Sequence, residues 1–208
     1  DEIIYMIPNY LQIYHLAHSF NINVKTLPLR QEIGWQWDLD ELKSMISKNT
    51  KMIVVCNPNN PTGALMTNEI MNGLIEIVKE LDCWLLSDEV YRGAELNGEE
   101  CISFAGATEK TIVNAGLSKA YSLPGLRLGW SIGSEEYIKH AWSFHDYTVI
   151  NVAYLSDWVA SRILEQDRRK KILDRTKAHL NFNLNMLCDW ANNEKSLSIN
   201  RPSAGAIT

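Results

Sequence analysis

The residues best suited to chemistry stand in four short clusters, each directly after an apolar run. Ile53 to Cys56 is followed by Asn57-Pro58-Asn59-Asn60-Pro61-Thr62-Gly63, and Trp84 to Leu86 by Ser87-Asp88-Glu89-Val90-Tyr91. Ile112 to Ala115 leads into Gly116-Leu117-Ser118-Lys119, with Arg127 eight residues beyond that lysine, and Ile4 to Ile7 leads into Pro8-Asn9-Tyr10. As residue types these supply an amine, a carboxylate, phenols, amides and a guanidinium. A lysine is nucleophilic only when unprotonated, so it must lose its proton well below the reference pKa of about 10.4. The planar fork of an arginine holds a phosphate dianion through two hydrogen bonds. Each cluster has a plainer reading as well: a lone lysine is usually a surface residue, an Asp after a strand is often a helix N-cap, and Tyr10 also begins an apolar stripe.

The clusters gain weight from the elements that must carry them. Short apolar runs alternate with helical patterns, which predicts an α/β fold with a largely parallel sheet and helices on its faces. Ile3 to Ile7, Val24 to Leu27, Met52 to Cys56, Cys83 to Ser87, Thr111 to Ala115 and Arg127 to Ile132 read as strands. Tyr10, Ile13, Tyr14, Ala17 and Phe20 recur at helical spacing, Asp38 to Ser47 reads as a helix, and Ile70, Met71, Leu74, Val78 and Leu81 mark another. From Val152 the pattern is helical, with Leu173, Thr176, Leu180, Leu184, Leu187 and Ala191 as the stripe of a long amphipathic helix. The basic run Arg168-Arg169-Lys170-Lys171 at its start reads as a solvated helix face. In such sheets ligands sit beyond the carboxyl ends of the strands, which is where all four clusters fall.

Composition narrows the field. The 208 residues, 46% hydrophobic and 22% charged, suit a globular domain with a sizeable core, and the net charge of −5 gives no electrostatic reason to expect nucleic acid or an anionic membrane. Apolar runs are too short to span a bilayer and no signal-like segment opens the chain, so a cytoplasmic location is expected. Cys56, Cys83, Cys101 and Cys188 are scattered without a CxxC pair and read as reduced structural thiols; His15 and His18 lack further ligands, so no metal site is expected.

Taken together, Asn-Pro-x-Asn-Pro-Thr-Gly, Asp-Glu-x-Tyr, Ser-Lys and the Arg eight residues after that Lys resemble, in order and spacing, the class I/II aminotransferases of fold type I, which depend on pyridoxal 5'-phosphate (PLP). The resemblance covers essentially the whole chain. It implies a three-layer α/β/α sandwich with a mostly parallel mixed sheet, residues 1–195 forming the PLP-binding large domain without its N-terminal part and 196–208 beginning a truncated small domain. It implies further that Lys119 forms the Schiff base with PLP and then moves the substrate's α-proton. By the same resemblance Asp88 pairs with the pyridine nitrogen, Asn60 and Tyr91 hydrogen-bond the phenolate oxygen, Tyr10 stacks on the ring, and Arg127 and Ser118 hold the phosphate. Gly116 stands where many relatives carry a hydroxyl residue and offers a backbone N–H instead. The glycine-rich phosphate loop and the arginine that clamps the substrate carboxylate are expected upstream of Asp1 and downstream of Thr208, since both ends read as cuts within a longer protein and 206–208 as a strand just begun.

The implied activity is transfer of an amino group between an amino acid and a 2-oxo acid, in a homodimer. Lyases, cyclising synthases and decarboxylases share the same arrangement. A different class, the aminotransferase-like sensor domain of some bacterial regulators, would differ in the upstream segment, which would hold a basic helix-turn-helix module.

Overall fold

The computed structural model describes residues 1–207. Its centre is a six-stranded sheet of β1 (Glu2–Ile7), β2 (Asn23–Pro28), β3 (Thr50–Cys56), β4 (Trp84–Asp88), β5 (Thr111–Gly116) and β6 (Gly129–Ile132), in the spatial order β2-β1-β3-β4-β5-β6. The first five strands are parallel and β6 returns antiparallel against β5, so the sheet is mixed, as the sequence led one to expect. Crossover segments carry α1 (Gln12–Ser19), α2 (Leu39–Met45) and α3 (Asn68–Leu81).

Alternation along the strands builds the layers, because successive side chains of a strand point to opposite faces. In β1, Ile4 and Met6 join a core with Leu42 of α2 and Leu74, Ile77 and Val78 of α3, while Ile3 and Tyr5 join Ala17, Ile13 and Tyr14 of α1 on the other face. Helices α2 and α3 start where side chains satisfy their first amides: Asp38 accepts from the N–H groups of Asp40 and Glu41 at 2.7 and 2.9 Å, and Thr67 accepts from that of Ile70 at 3.2 Å.

Beyond the sheet lie α4 (Glu135–Ser143), α5 (Tyr154–Ile163) and the 27-residue α6 (Gln166–Asn192). Leu173 of α6 and Ala160 of α5 pack with Leu117, Ala120 and Tyr121, so these helices brace the segment after β5. Three sequence readings need correction. The last strand begins at Gly129 rather than Arg127; Arg127 closes a short 3-10 turn at Pro124–Leu126 in the left-handed region, with φ of 49°. Tyr10 lies ahead of α1 and, 60% exposed, does not join its buried stripe. In the basic run, Arg168, Lys170 and Lys171 face solvent, but Arg169 turns inward because it lies one helical turn before Leu173 on the buried face. No helix among the described residues is long and apolar enough to cross a membrane.

The segment near the end of the chain folds back onto the sheet domain. Ser203 and Ala204 both donate their N–H to the carbonyl of Gly63, and Glu95 bridges Ala204 in antiparallel fashion. Of the strand expected at 206–208, residues 206 and 207 are irregular and Thr208 lies outside the described residues.

Candidate active site

Parallel registration brings the strand ends to one edge: Cys56 pairs with Asp88, and Asp88 with Asn114 two residues before the end of β5. A cleft of about 730 Å³ opens there, lined by Tyr10, Asn60, Asp88, Tyr91, Gly116, Ser118, Lys119 and Arg127. All eight candidates from the sequence therefore share one cavity. Gln12, whose type and spacing gave no signal, also lines it.

The loop after β3 spends most of its polar groups on itself. The Asn57 side chain accepts from the Met66 N–H at 3.0 Å, and that of Asn59 accepts from the Thr62 N–H at 3.2 Å and hydroxyl at 2.7 Å while donating to the Pro8 carbonyl at 3.3 Å. Asn60 is left free to face the cleft, where its amide donates to the Tyr91 hydroxyl at 3.4 Å. Tyr91 is buried in the turn after β4, and its phenol is pushed up in pKa by burial and by the neighbouring Cys56 and Asp88.

Asp88 ends β4. Its carboxylate accepts one hydrogen bond, from the Val90 N–H at 3.2 Å, and its pKa is raised, chiefly by burial and also by the adjacent Glu89, against the lowering influence of that hydrogen bond and of Lys119. Glu89 is buried, but it points away and accepts from the Ser87 hydroxyl and the Phe104 N–H. Asp88 is thus left short of a positive partner in direct contact.

Lys119 follows β5 on a compact turn: its carbonyl accepts from the Ser122 N–H at 2.9 Å, and the next residue donates to the Val90 carbonyl. Its side chain is exposed and makes no hydrogen bond or ion pair among the described residues. Where β5 meets β6, Gly116 faces Gly129, and a Cβ at Gly116 would stand 3.2 Å from both the Gly129 Cα and the Leu128 carbonyl oxygen. The glycine pair keeps this wall of the cleft at backbone level. Arg127 lies at the rim, one guanidinium N–H donating to the Pro124 carbonyl at 2.9 Å. Tyr10 lies across the cleft, its backbone carbonyl held by the Tyr5 hydroxyl at 2.5 Å. No cluster of three or more metal-binding side chains exists among the described residues.

An open α/β sheet with a lysine, a half-buried carboxylate and a guanidinium converging at its strand ends belongs to a class of enzyme scaffolds that bind phosphorylated cofactors at that edge. The sequence model for aminotransferase class I and II matches residues 1–202, and the chain belongs to that family. The chain is 29% identical over 205 residues to an aspartate aminotransferase of Pyrococcus horikoshii, covering 97% of this chain and 52% of that protein. It is 31% identical over 167 residues to an aspartate/prephenate aminotransferase of Thermus thermophilus, covering 79% and 43%. Among solved structures, a PLP-dependent aminotransferase from Streptococcus suis superposes with a TM-score of 0.90 at 35% identity, covering 99% of this chain and 54% of that one. The chain spans about half the length of the curated relatives it matches.

Proposed function

We propose that this protein is a PLP-dependent aminotransferase that moves an amino group between an amino acid and a 2-oxo acid, with Lys119 as the residue that holds the cofactor. The observation that carries the reading is the convergence of all eight candidate residues on one cleft at the carboxyl ends of the strands. The residues fit the group. A half-buried carboxylate with a raised pKa and a single N–H donor is completed by a protonated ring nitrogen. The glycine-lined wall leaves room for close approach of a phosphate, and the Asn60–Tyr91 pair offers donors to an oxyanion.

When bound, PLP supplies an aldehyde that joins covalently to amines and a ring that accepts the electron pair left when the α-proton departs. The chain's residues do the rest. Lys119 would hold the cofactor covalently, and its amine, when not so engaged, would carry the substrate's α-proton. Asp88 keeps the ring nitrogen protonated through an ion pair that its burial strengthens. Arg127, Ser118 and the Gly116 N–H bind the phosphate, Asn60 and Tyr91 hydrogen-bond the phenolate oxygen, and Tyr10 covers the ring face.

A homodimer is part of the same reading, supported by exposed apolar side chains at Trp142, Tyr147, Ile150, Tyr154, Leu155 and Trp158. A cytoplasmic setting accords with four free cysteines, three of them buried. Residues 196–207 as the start of a second domain also belong to the proposal. The names of most of the relatives favour transamination over elimination. Borohydride reduction of the PLP-loaded protein followed by peptide mapping tests the reading: the label is expected on Lys119 and lost in Lys119→Ala, and a label elsewhere, or none, overturns it.

A further inference from the structure

Behind the cleft, two segments that carry candidate site residues meet on one guanidinium. Arg169, in the first turn of α6, donates from Nε to the Tyr121 hydroxyl at 2.9 Å and from its two Nη atoms to both carboxylate oxygens of Glu100 at 2.5 and 2.8 Å. Its charge also lies 5.7 Å from the centre of the Tyr121 ring. Glu100 takes a second cation, Arg92, at 3.4 Å, and Arg92 Nε donates to the Cys101 carbonyl at 2.8 Å. Arg92 follows Tyr91 directly, and Tyr121 stands two residues after Lys119.

These contacts differ from the chain's other ion pairs on helices. Lys139–Glu135, Lys170–Asp174 and Lys79–Glu76 each join neighbours within one helix at exposed positions, where such pairs contribute little. The Arg169 fork spans 48 and 69 residues of sequence, is half-buried, and satisfies a carboxylate in bidentate fashion, which fixes direction as well as distance. The buried Tyr121 ring also stands edge-on to Trp130 of β6 at 6.3 Å. A small cavity of about 60 Å³ beside the network is bounded by Arg169, Tyr121, Arg92, Gly116 and Glu89, so the same cluster reaches the backs of β4 and β5.

We infer that Arg169 is a positioning residue for the candidate site: through Tyr121 and Glu100 it locks the Lys119 turn against the Tyr91 turn. The Lys119 side chain has no partner of its own among the described residues, so the direction of its amine is set by the backbone turn, and that turn is held from behind. Misplacement of a reacting group by an ångström costs orders of magnitude in rate, so such a brace matters even without touching the cofactor. The inference rests on the reading of Lys119 as the cofactor-holding residue.

Tyr121→Phe removes one hydroxyl and keeps the packed ring; Arg169→Met removes the whole fork. Two measurements on each variant of the protein separate the possibilities. In the cofactor-free protein, amide hydrogen exchange over residues 117–123 is expected to quicken about tenfold with Tyr121→Phe and more with Arg169→Met, while residues 53–56 of β3 stay protected. On adding PLP, absorbance of the PLP–lysine linkage is expected to develop about tenfold more slowly, with reduced visible circular dichroism. Glu2→Gln is the comparison, since it disturbs a buried polar cluster with Lys25, Ser47 and Thr50 at the opposite end of β1; it is expected to lower overall stability and leave both signals as in the wild type. Unchanged exchange over 117–123 in Tyr121→Phe and Arg169→Met, or equal slowing by Glu2→Gln, overturns the inference. If the wild type itself forms no linkage with PLP, the reading of the cleft fails separately, and the exchange measurement still decides whether Arg169 holds the turn.

Discussion

The two glycines where β5 meets β6 make a quantitative test of how tightly the cleft wall is built. A Cβ at Gly129 would sit 2.9 Å from the Ala115 carbonyl oxygen, about 0.4 Å inside the ~3.3 Å at which carbon and carbonyl oxygen normally stop. A Cβ at Gly116 meets the Gly129 Cα and the Leu128 oxygen at 3.2 Å, a much milder overlap. Neither glycine has a positive φ, so alanine brings no backbone strain and stiffens the unfolded chain to the benefit of the fold by about 0.4–1 kcal/mol. Overpacking against backbone costs about 1–3 kcal/mol, and the closer contact takes the upper part of that range. The net expectation is a loss of about 1–2 kcal/mol for Gly129→Ala and of roughly 0–1 kcal/mol for Gly116→Ala, the milder overlap at Gly116 being offset by the stiffer unfolded chain. Urea unfolding at neutral pH measures both, and fluorescence titration with PLP reads the consequence for the cleft, where Gly129→Ala should bind more weakly since relief displaces Leu128 and Arg127. Equal stabilities, a reversed order, or tighter PLP binding by Gly129→Ala would refute the reasoning.

Asp88→Asn should abolish most turnover while making the cofactor-free protein more stable at neutral pH: the folded-state pKa of Asp88 is raised, so its ionisation opposes folding as pH rises through that value. The gain should vanish below about pH 4, where the carboxyl is protonated in the unfolded chain as well, and a stability gain that persists in acid would contradict the assignment. Glu100 has a lowered pKa, first through its hydrogen bonds from Arg169, so it stabilises the fold above its unfolded pKa and loses this as pH falls through the folded value. Glu100→Gln should therefore cost about 1–3 kcal/mol in urea unfolding at pH 7, and the difference should shrink as pH falls below the ordinary carboxylate range; a constant difference would show that charge is not the cause. At Gly63, with φ of 65° and an added Cβ 2.3 Å from that of Pro202, alanine should cost about 2–5 kcal/mol and expose residues 202–205 to proteolysis, so resistance equal to the wild type would argue against close packing there.

The parallel sheet and the cleft were legible in the sequence because both rest on short-range signals. Buried strands read as apolar runs, and the polar residues that follow them mark one sheet edge. What escaped depended on other signals. Helix α4 buries none of its residues and so shows no core-facing stripe; its only marks were Ser134, whose side chain caps the helix, and two glutamates in the first turn. Arg127 looked like the first residue of a strand because its left-handed backbone follows from the Pro124-Gly125 turn, which hydrophobic patterning does not encode. Arg169 was masked by its basic neighbours, although extending the α6 stripe back four residues from Leu173 reaches it. Its partners, 48 and 69 residues distant, had no local signature at all.

The antiparallel return of β6 has a consequence for how this site tolerates change. Lys119 and Arg127 are delivered by opposite ends of a single short connection between two hydrogen-bonded strands, with Gly116 and Gly129 facing one another at its base. That connection works as a ruler between amine and guanidinium. Its length matters as much as its packed side chains: adding or removing one residue would change the separation of the two charged groups while leaving both strands intact, and so disable the pocket without unfolding the sheet.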